Sequence, residues 1–180
     1  MVGRRNLDVL TPKGKKTREQ ELEMYAYLRK ELGVRFKGTS DDISRHDSYI
    51  YKDEKLIAIG EAKCRDMTEA ALKSYGNTWL ITNDKIIACL ETAKKKEVPF
   101  IGLLYLVPDA VICLLKISDE RGKPVIEYEV RESWTQTTVN NLNKIKRANA
   151  YFPMETSARV RMDKKWIKEY RKRLKDEKKR

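Results

Sequence analysis

Phe100 to Val107 and Ala110 to Ile117 are two nearly unbroken apolar runs with only Pro108-Asp109 between them. A strand with one wet face alternates apolar and polar residues, so runs like these read as strands covered on both faces. The chain has to wrap a sheet on two sides, and its 180 residues suffice for one core or a core with an appendage. The remaining pattern supplies the cover. Leu22, Tyr25, Leu28 and Leu32 recur at helical steps between Thr17, a candidate N-cap, and Gly33, a common helix stop, which predicts a helix over 17–32. Residues 34–36 follow as a short strand and Lys37 to Arg45 as a loop. Ser48 to Tyr51 and Leu56 to Lys63 flank the charged connection Lys52 to Lys55, the signature of a β-hairpin. Helices are expected over 67–76, ended by Gly76, and over 84–97, where Ile86, Ile87, Leu90 and Ala93 keep helical spacing up to a break at Pro99. Val125 to Val130 reads as an edge strand, and the Ser-, Thr-, Asn- and Gln-rich stretch after Arg131 as a mostly irregular excursion. From Asp163 to Lys175, Trp166, Ile167, Tyr170 and Leu174 share one face and basic residues fill the others, giving a basic amphipathic helix. The order predicts an α/β fold with a mixed central sheet flanked by helices. It divides into a basic arm over 1–16, a core over 17–130, and an excursion with a basic helix over 131–180.

The net charge is +12, and it is concentrated at the ends. Residues 1–18 carry six Lys/Arg against one acid and 159–180 carry twelve against four, whereas 19–158 hold 21 against 22. A neutral body with basic extremities suits a polyanion, because each phosphate neutralised by Lys or Arg releases condensed counterions. Nucleic acid is the leading partner class, with solvated charge that improves solubility as the alternative. Lys13, Lys15, Lys16, Arg65, Lys146, Arg147, Lys164, Lys165 and Arg171 are the candidate contacts. Trp134, Tyr151 and Phe152 either stack on unpaired bases or pack in a core or lid. No apolar stretch approaches the roughly 20 residues that span a bilayer, and none stands near the start, so a cytoplasmic protein with no membrane partner is expected. Cys64, Cys89 and Cys113 lack the paired spacing of a zinc site, and His46 is the single histidine. Gly14-Lys15-Lys16-Thr17 fails as a Walker loop, since Val9 and Lys16 occupy the places of a glycine and a Ser/Thr.

The chemistry gathers around the hairpin. Asp47 precedes its first strand, and Glu61-Ala62-Lys63 closes its second thirteen residues later. Side chains alternate along a strand, so Glu61 and Lys63 share a face, and hairpin pairing brings Asp47 beside them. Hard cations such as Mg²⁺ take oxygen ligands, commonly one or two carboxylates completed by waters and a substrate phosphate. The blander reading makes Asp47 a turn residue and Glu61 with Lys63 an exposed pair on a strand edge.

In this arrangement the sequence resembles the PD-(D/E)XK nuclease superfamily, whose pattern is an acid, a spacer of about this length, and Glu-x-Lys on the second strand of a hairpin. The resemblance spans about residues 17–117 and implies a restriction-endonuclease-like core. It implies Asp47, Glu61 and the Ala62 carbonyl as ligands of Mg²⁺, or Mn²⁺ in its place, and Lys63 as the catalytic lysine. Many members add a glutamate on the preceding helix, a role that falls to Glu21 or else Glu19. Gly14 within Lys13-Gly14-Lys15-Lys16 is similar to the entry to helix one in archaeal Holliday-junction resolvases.

The expected activity is metal-dependent endonucleolytic hydrolysis of DNA, double-stranded or branched. No base-reading motif is visible, which favours structure-selective or weakly specific cutting. A symmetric homodimer is the simplest device for cutting both strands. The competing expectations are a non-catalytic nucleic-acid-binding module on the same scaffold and an RNA-processing nuclease.

Overall fold

A computed structural model describes residues 11–38, 47–136 and 144–178. Helix α1 covers Pro12–Leu32, and strand β1 covers Arg35–Gly38. The hairpin is β2 (Ser48–Lys52) and β3 (Lys55–Arg65), followed by α2 (Glu69–Ser74), β4 (Thr78–Thr82) and α3 (Asn83–Lys96). Then come β5 (Phe100–Leu106), β6 (Val111–Ser118), β7 (Glu129–Gln136), β8 (Lys144–Pro153), β9 (Ala158–Arg161) and α4 (Lys164–Glu177). A six-stranded sheet runs in the order β1-β2-β3-β5-β6-β9, and a three-stranded sheet in the order β4-β8-β7. Within the larger sheet β3 and β5 are parallel, and the other neighbours are antiparallel. The fold is α/β with a mixed central sheet flanked by helices, as the pattern predicts.

The two apolar runs become β5 and β6, and their side chains feed two cores. Leu103 and Tyr105 turn toward Met24 and Leu28 of α1 and Ile167 of α4. Phe100, Leu104 and Leu106 turn the other way, toward Ile86 and Cys89 of α3 and Trp79 and Phe152 of the smaller sheet. Burying each such side chain contributes about 1.5–3 kcal/mol, which is why these strands tolerate no alternation. At Gly102 an added Cβ would stand 2.3 Å from the Trp79 ring. The missing side chain is what lets Trp79 and the smaller sheet close over β5.

Several expectations are corrected. Helix α1 begins at Pro12, not Thr17: the Thr11 hydroxyl accepts from the Gly14 N–H at 2.9 Å, with Pro12 in the first turn. Proline suits that place because its missing N–H has no helical partner there. Residues 12–16 of the basic arm are therefore helical. The buried face of α1 is Glu23, Met24, Tyr27 and Leu28, while Leu22 and Leu32 are 43% and 42% exposed. The edge strand lies at Glu129–Gln136 rather than 125–130, and the described residues of the expected excursion, 131–136 and 144–162, are not mostly irregular, since β7 and β4 both pair with β8 and β9 pairs with β6. Strand β4 escapes the pattern reading altogether. Its alternation of buried Trp79 and Ile81 is only five residues long and leads directly into α3. The loop expected over 37–45 falls partly on β1, and its remainder, like His46, lies outside the described residues.

The hairpin is tighter than its four charged residues suggest. Asp53 and Glu54 form a two-residue connection with φ of 48° and 61°. Left-handed conformations at both positions match the twist of the flanking strands and fix their register. Helix α4, capped by the Asp163 side chain, docks on α1: Trp166 meets the Tyr27 ring edge-on at 4.9 Å, and Arg171 grips buried Glu23.

Candidate active site

The hairpin register places Ser48 opposite Gly60, so Asp47 arrives opposite Glu61. The Asp47 N–H donates to the Gly60 carbonyl at 3.0 Å, and its Oδ2 accepts from the Ala62 N–H at 2.8 Å. A strand residue points its carbonyl to the same side as its N–H, so the Ala62 carbonyl also faces Asp47 where β2 begins. Glu61 is fully buried on β3 beside Gly102 of β5. Its oxygens face ammonium groups: Lys63 Nζ lies 3.2 Å from Oε1, and Lys85 Nζ lies 2.7 Å from Oε2. The same Lys85 nitrogen lies 2.7 Å from Asp47 Oδ1. Two carboxylates, one at the entry to β2 and one on β3, thus converge on the Lys85 ammonium.

Lys85 is the residue that the sequence reading missed. It stands in the first turn of α3, where the helix dipole disfavours a positive charge, and that misplacement is the signal that could have found it. Asp47 and Glu61 repay the unfavourable position. Burial lowers the Lys85 ammonium's pKa, but Glu61 and Asp47 more than offset this and hold it above the usual lysine range. Burial would raise the Asp47 carboxyl, yet Lys85, Lys63 and the Ala62 N–H hold it below its ordinary value. For Glu61 burial wins and pushes the carboxyl up to about 7, against the pull of Lys63 and Lys85.

Of the helix-one glutamates, the structure brings Glu21 to the cluster. Burial raises its carboxyl, Arg18 at 2.9 Å opposes the rise, and the nearby charges of Asp47 and Lys63 act on it in opposite senses. Glu19 is exposed and pairs with Lys178 instead. Glu23 serves α4: its carboxylate accepts from Tyr105 Oη at 2.8 Å and from Arg171 at 2.6 and 2.8 Å. Arg171, a candidate phosphate contact, is thus engaged in holding the helix. Lys16, on the exposed side of α1 with Lys13 and Lys15, reaches Asp66 at 3.9 Å, so the start of α1 lies near the end of β3 that carries Arg65. Lys146 pairs with Glu132 at 2.7 Å, and Lys146 and Arg147 both stand on β8 of the smaller sheet. Lys164 lines a cleft of about 620 Å³ between α4 and the β5–β6 turn, away from the carboxylates, and Lys165 precedes Trp166 on the same helix. Trp134 is 66% exposed, whereas Phe152 is wholly buried against the core.

The donor set suits a hard cation. Lys85 Nζ acts as a stand-in for such an ion, held by one oxygen of each acid. Among the described residues no three or more His, Cys, Asp or Glu side chains stand close enough to hold one metal ion together, Glu21 being a neighbour of the cluster and not a ligand, so a divalent ion here would depend on Asp47, Glu61 and the Ala62 carbonyl, with water and substrate completing its shell. No helix among the described residues is long and apolar enough to cross a membrane. No family model matches the chain, and searches of curated proteins and of solved structures return no significant match.

Proposed function

We propose that this chain is a Mg²⁺-dependent endonuclease that hydrolyses phosphodiester bonds in DNA with structural selectivity or weak sequence specificity. One observation carries the reading: Asp47, just before β2, and Glu61 of β3 hold the Lys85 ammonium between them at 2.7 Å each, with Lys63 beside Glu61. A leading helix, a hairpin that opens a mixed sheet, and a second helix between β3 and its parallel neighbour β5 are also the parts of the PD-(D/E)XK core. The basic ends, the cytoplasmic setting and the restriction-endonuclease-like assignment belong to the same proposal.

Magnesium held here supplies a Lewis acid for the phosphate and lowers the pKa of attacking water. The chain's own groups do the rest. Asp47 and Glu61 hold the ion, with the Ala62 carbonyl as the third protein oxygen. Lys63, 37% exposed and on the same face as Glu61, orients the nucleophilic water and offsets charge gathering on the phosphate. Glu21, across the cluster, accepts a hydrogen bond from that water. Lys85 yields its place between the acids and turns its ammonium to the phosphate.

Lys85 also favours a second reading. An ammonium that neutralises both acids is what a non-catalytic DNA-binding module would use to retain this scaffold without metal. The test is cleavage of supercoiled plasmid and of a four-way junction in Mg²⁺ or Mn²⁺ against EDTA, with Lys63→Ala prepared alongside. Metal-dependent cutting that the variant lacks supports the nuclease. Salt-sensitive binding with no cutting under any condition replaces it with the binding module.

A further inference from the structure

Tyr25 stands one turn beyond Glu21 on α1, close enough to the candidate site that the charges of Glu21 and Asp47 act on its phenol. Its ring stacks on Phe36 of β1, with centroids 4.3 Å apart and planes 17° from parallel. From there an open groove of about 750 Å³ runs between α1 and α4. At its far wall Trp166 and Tyr170 form a second stacked pair, 5.0 Å apart and 14° from parallel. Leu22, 43% exposed, lies on the same flank, so much of the apolar stripe that the sequence pattern assigns to the core faces this groove instead.

The rim is cationic. Arg29 and Lys30 stand on α1, Arg35 on β1 and Arg173 on α4, and no carboxylate is among the lining residues. Arg173 lies over the Tyr170 ring at 5.8 Å. Lys30 and Arg35 are held at the edge by ion pairs with Glu31 and Glu54, which leaves Arg29 and Arg173 as the guanidinium groups to meet a ligand. Aromatic faces flanked by guanidinium groups are the chemistry of single-stranded nucleic acid, where bases stack and phosphates follow the positive rim. A duplex, with its bases already stacked on each other, offers such rings nothing.

We infer that this groove binds an unpaired stretch of the substrate strand leading away from the scissile phosphate, so that the preferred substrate is a branched or flapped nucleic acid with a single-stranded arm. The inference rests on the nuclease reading for the word substrate, but the groove itself is tested without catalysis. From Glu21 to Arg29 is about 12 Å along the helix axis at 1.5 Å per residue, so the first nucleotides past the cut lie alongside Tyr25 and Arg29.

The experiment is fluorescence anisotropy of labelled oligothymidylate and of a duplex of equal length, in EDTA, across a salt series. Wild-type protein binds the oligothymidylate. Tyr170→Ala weakens that binding about tenfold with its salt slope unchanged, since it removes stacking and no charge. Tyr170→Phe restores the affinity by keeping the ring. Arg29→Ala combined with Arg173→Ala lowers the slope by about 0.7 for each phosphate that is no longer neutralised. The duplex is affected far less by all three. Wild-type affinity in Tyr170→Ala or a wild-type slope in the double arginine variant would overturn the inference, as would failure of the wild type to bind oligothymidylate or a Tyr170→Ala defect that phenylalanine does not rescue. Absence of cleavage with these binding effects intact would sink the nuclease reading alone.

Discussion

Replacing Lys85 with methionine keeps the aliphatic length of the side chain and removes only its charge. In the metal-free protein this leaves Asp47 and wholly buried Glu61 facing each other without the ammonium that lies 2.7 Å from each. Among the described residues, Lys63, 3.2 Å from Glu61 and more exposed, is then the counter-charge left in contact with that acid. Removing one partner of a buried ion pair typically costs about 3–5 kcal/mol, and that is the expected loss at pH 8 in EDTA. For a chain of 180 residues it lowers the melting temperature by about 10 °C, at about 2–4 °C per kcal/mol. The loss depends on pH in a defined sense. The wild-type Glu61 carboxyl titrates near about 7, so at pH 8 it is ionised and gains from Lys85, whereas at pH 5 it is protonated and only the Asp47 contact is forfeited. In the variant the carboxyl keeps its proton to higher pH, and each pH unit between the two titrations adds about 1.4 kcal/mol to the difference. The destabilisation measured at pH 8 therefore exceeds that at pH 5 by up to about this amount, since only one pH unit separates the wild-type titration from pH 8. Adding Mg²⁺ raises the melting temperature of the variant more than that of the wild type, because the ion no longer competes with an internal cation. Thermal melts in EDTA and in Mg²⁺ at the two pH values decide the matter. A variant as stable as wild type, or one that Mg²⁺ stabilises less, would refute the argument that Lys85 fills the cation position.

Lys63→Ala should leave the melting temperature within a few degrees of wild type, since a partly exposed strand lysine contributes little packing, while plasmid cleavage falls by about two orders of magnitude or more. Metal-free wild-type protein should lose stability as pH rises from about 4.5 to about 7, because the folded Glu61 carboxyl sits above its ordinary value of 4.5; denaturant titrations that show stability rising across this interval would count against the buried position of Glu61. Calorimetric titration with Mg²⁺ should give a signal that Asp47→Asn abolishes, with tighter binding above pH 7 than below it. Gly102→Ala forces a Cβ to within 2.3 Å of the Trp79 ring and should cost about 1–3 kcal/mol, read as a lower denaturant midpoint; an unchanged midpoint would mean that the smaller sheet closes over β5 less tightly.

Local patterns carried much of this molecule. The hairpin, the doubly covered strands and the basic terminal helix were legible because each is written in consecutive residues, and the convergence of Asp47 with Glu61 follows from hairpin register alone. What escaped is what depends on distant parts meeting. Strand β4 is held by Trp79 pairing with Phe152, more than seventy positions away, and its five residues carry too little alternation to announce it. The polar strands β7 and β8 read as irregular because Ser133, Arg147 and wholly buried Asn149, which donates to the Ser133 hydroxyl at 2.7 Å, stand where an apolar pattern would have marked a strand. Lys85 left only a faint mark in the sequence, a positive charge in the first turn of a helix. Only the fold shows that the first turn of α3 lies under the open end of β3.

Helix α1 illustrates how three similar residues acquire three different tasks. Successive helical residues turn by about 100°, so Glu19 and Glu23, four apart, share a side, and Glu21 stands nearly opposite to them. Helix α4 covers the first side: Lys178 takes Glu19, and Arg171 takes Glu23 together with Tyr105. Glu21 is left for the hairpin, where Asp47 and Lys63 are its neighbours, and Tyr25, one turn on, continues the same edge into the aromatic groove. The apolar stripe of Leu22, Tyr25, Leu28 and Leu32 suggested a single inward face, but the buried face turns on Met24, Tyr27 and Leu28 instead. The position of α4 decides which face is core. Because Trp166 and Arg171 fasten α4 to Tyr27 and Glu23, the same docking that fixes the core face of α1 also presents Glu21 to the carboxylate pair and Tyr25 to the groove. Loosening α4 therefore reaches the candidate site through α1 even though no α4 side chain meets Asp47, Glu61 or Lys63 among the hydrogen bonds and ion pairs of the described residues.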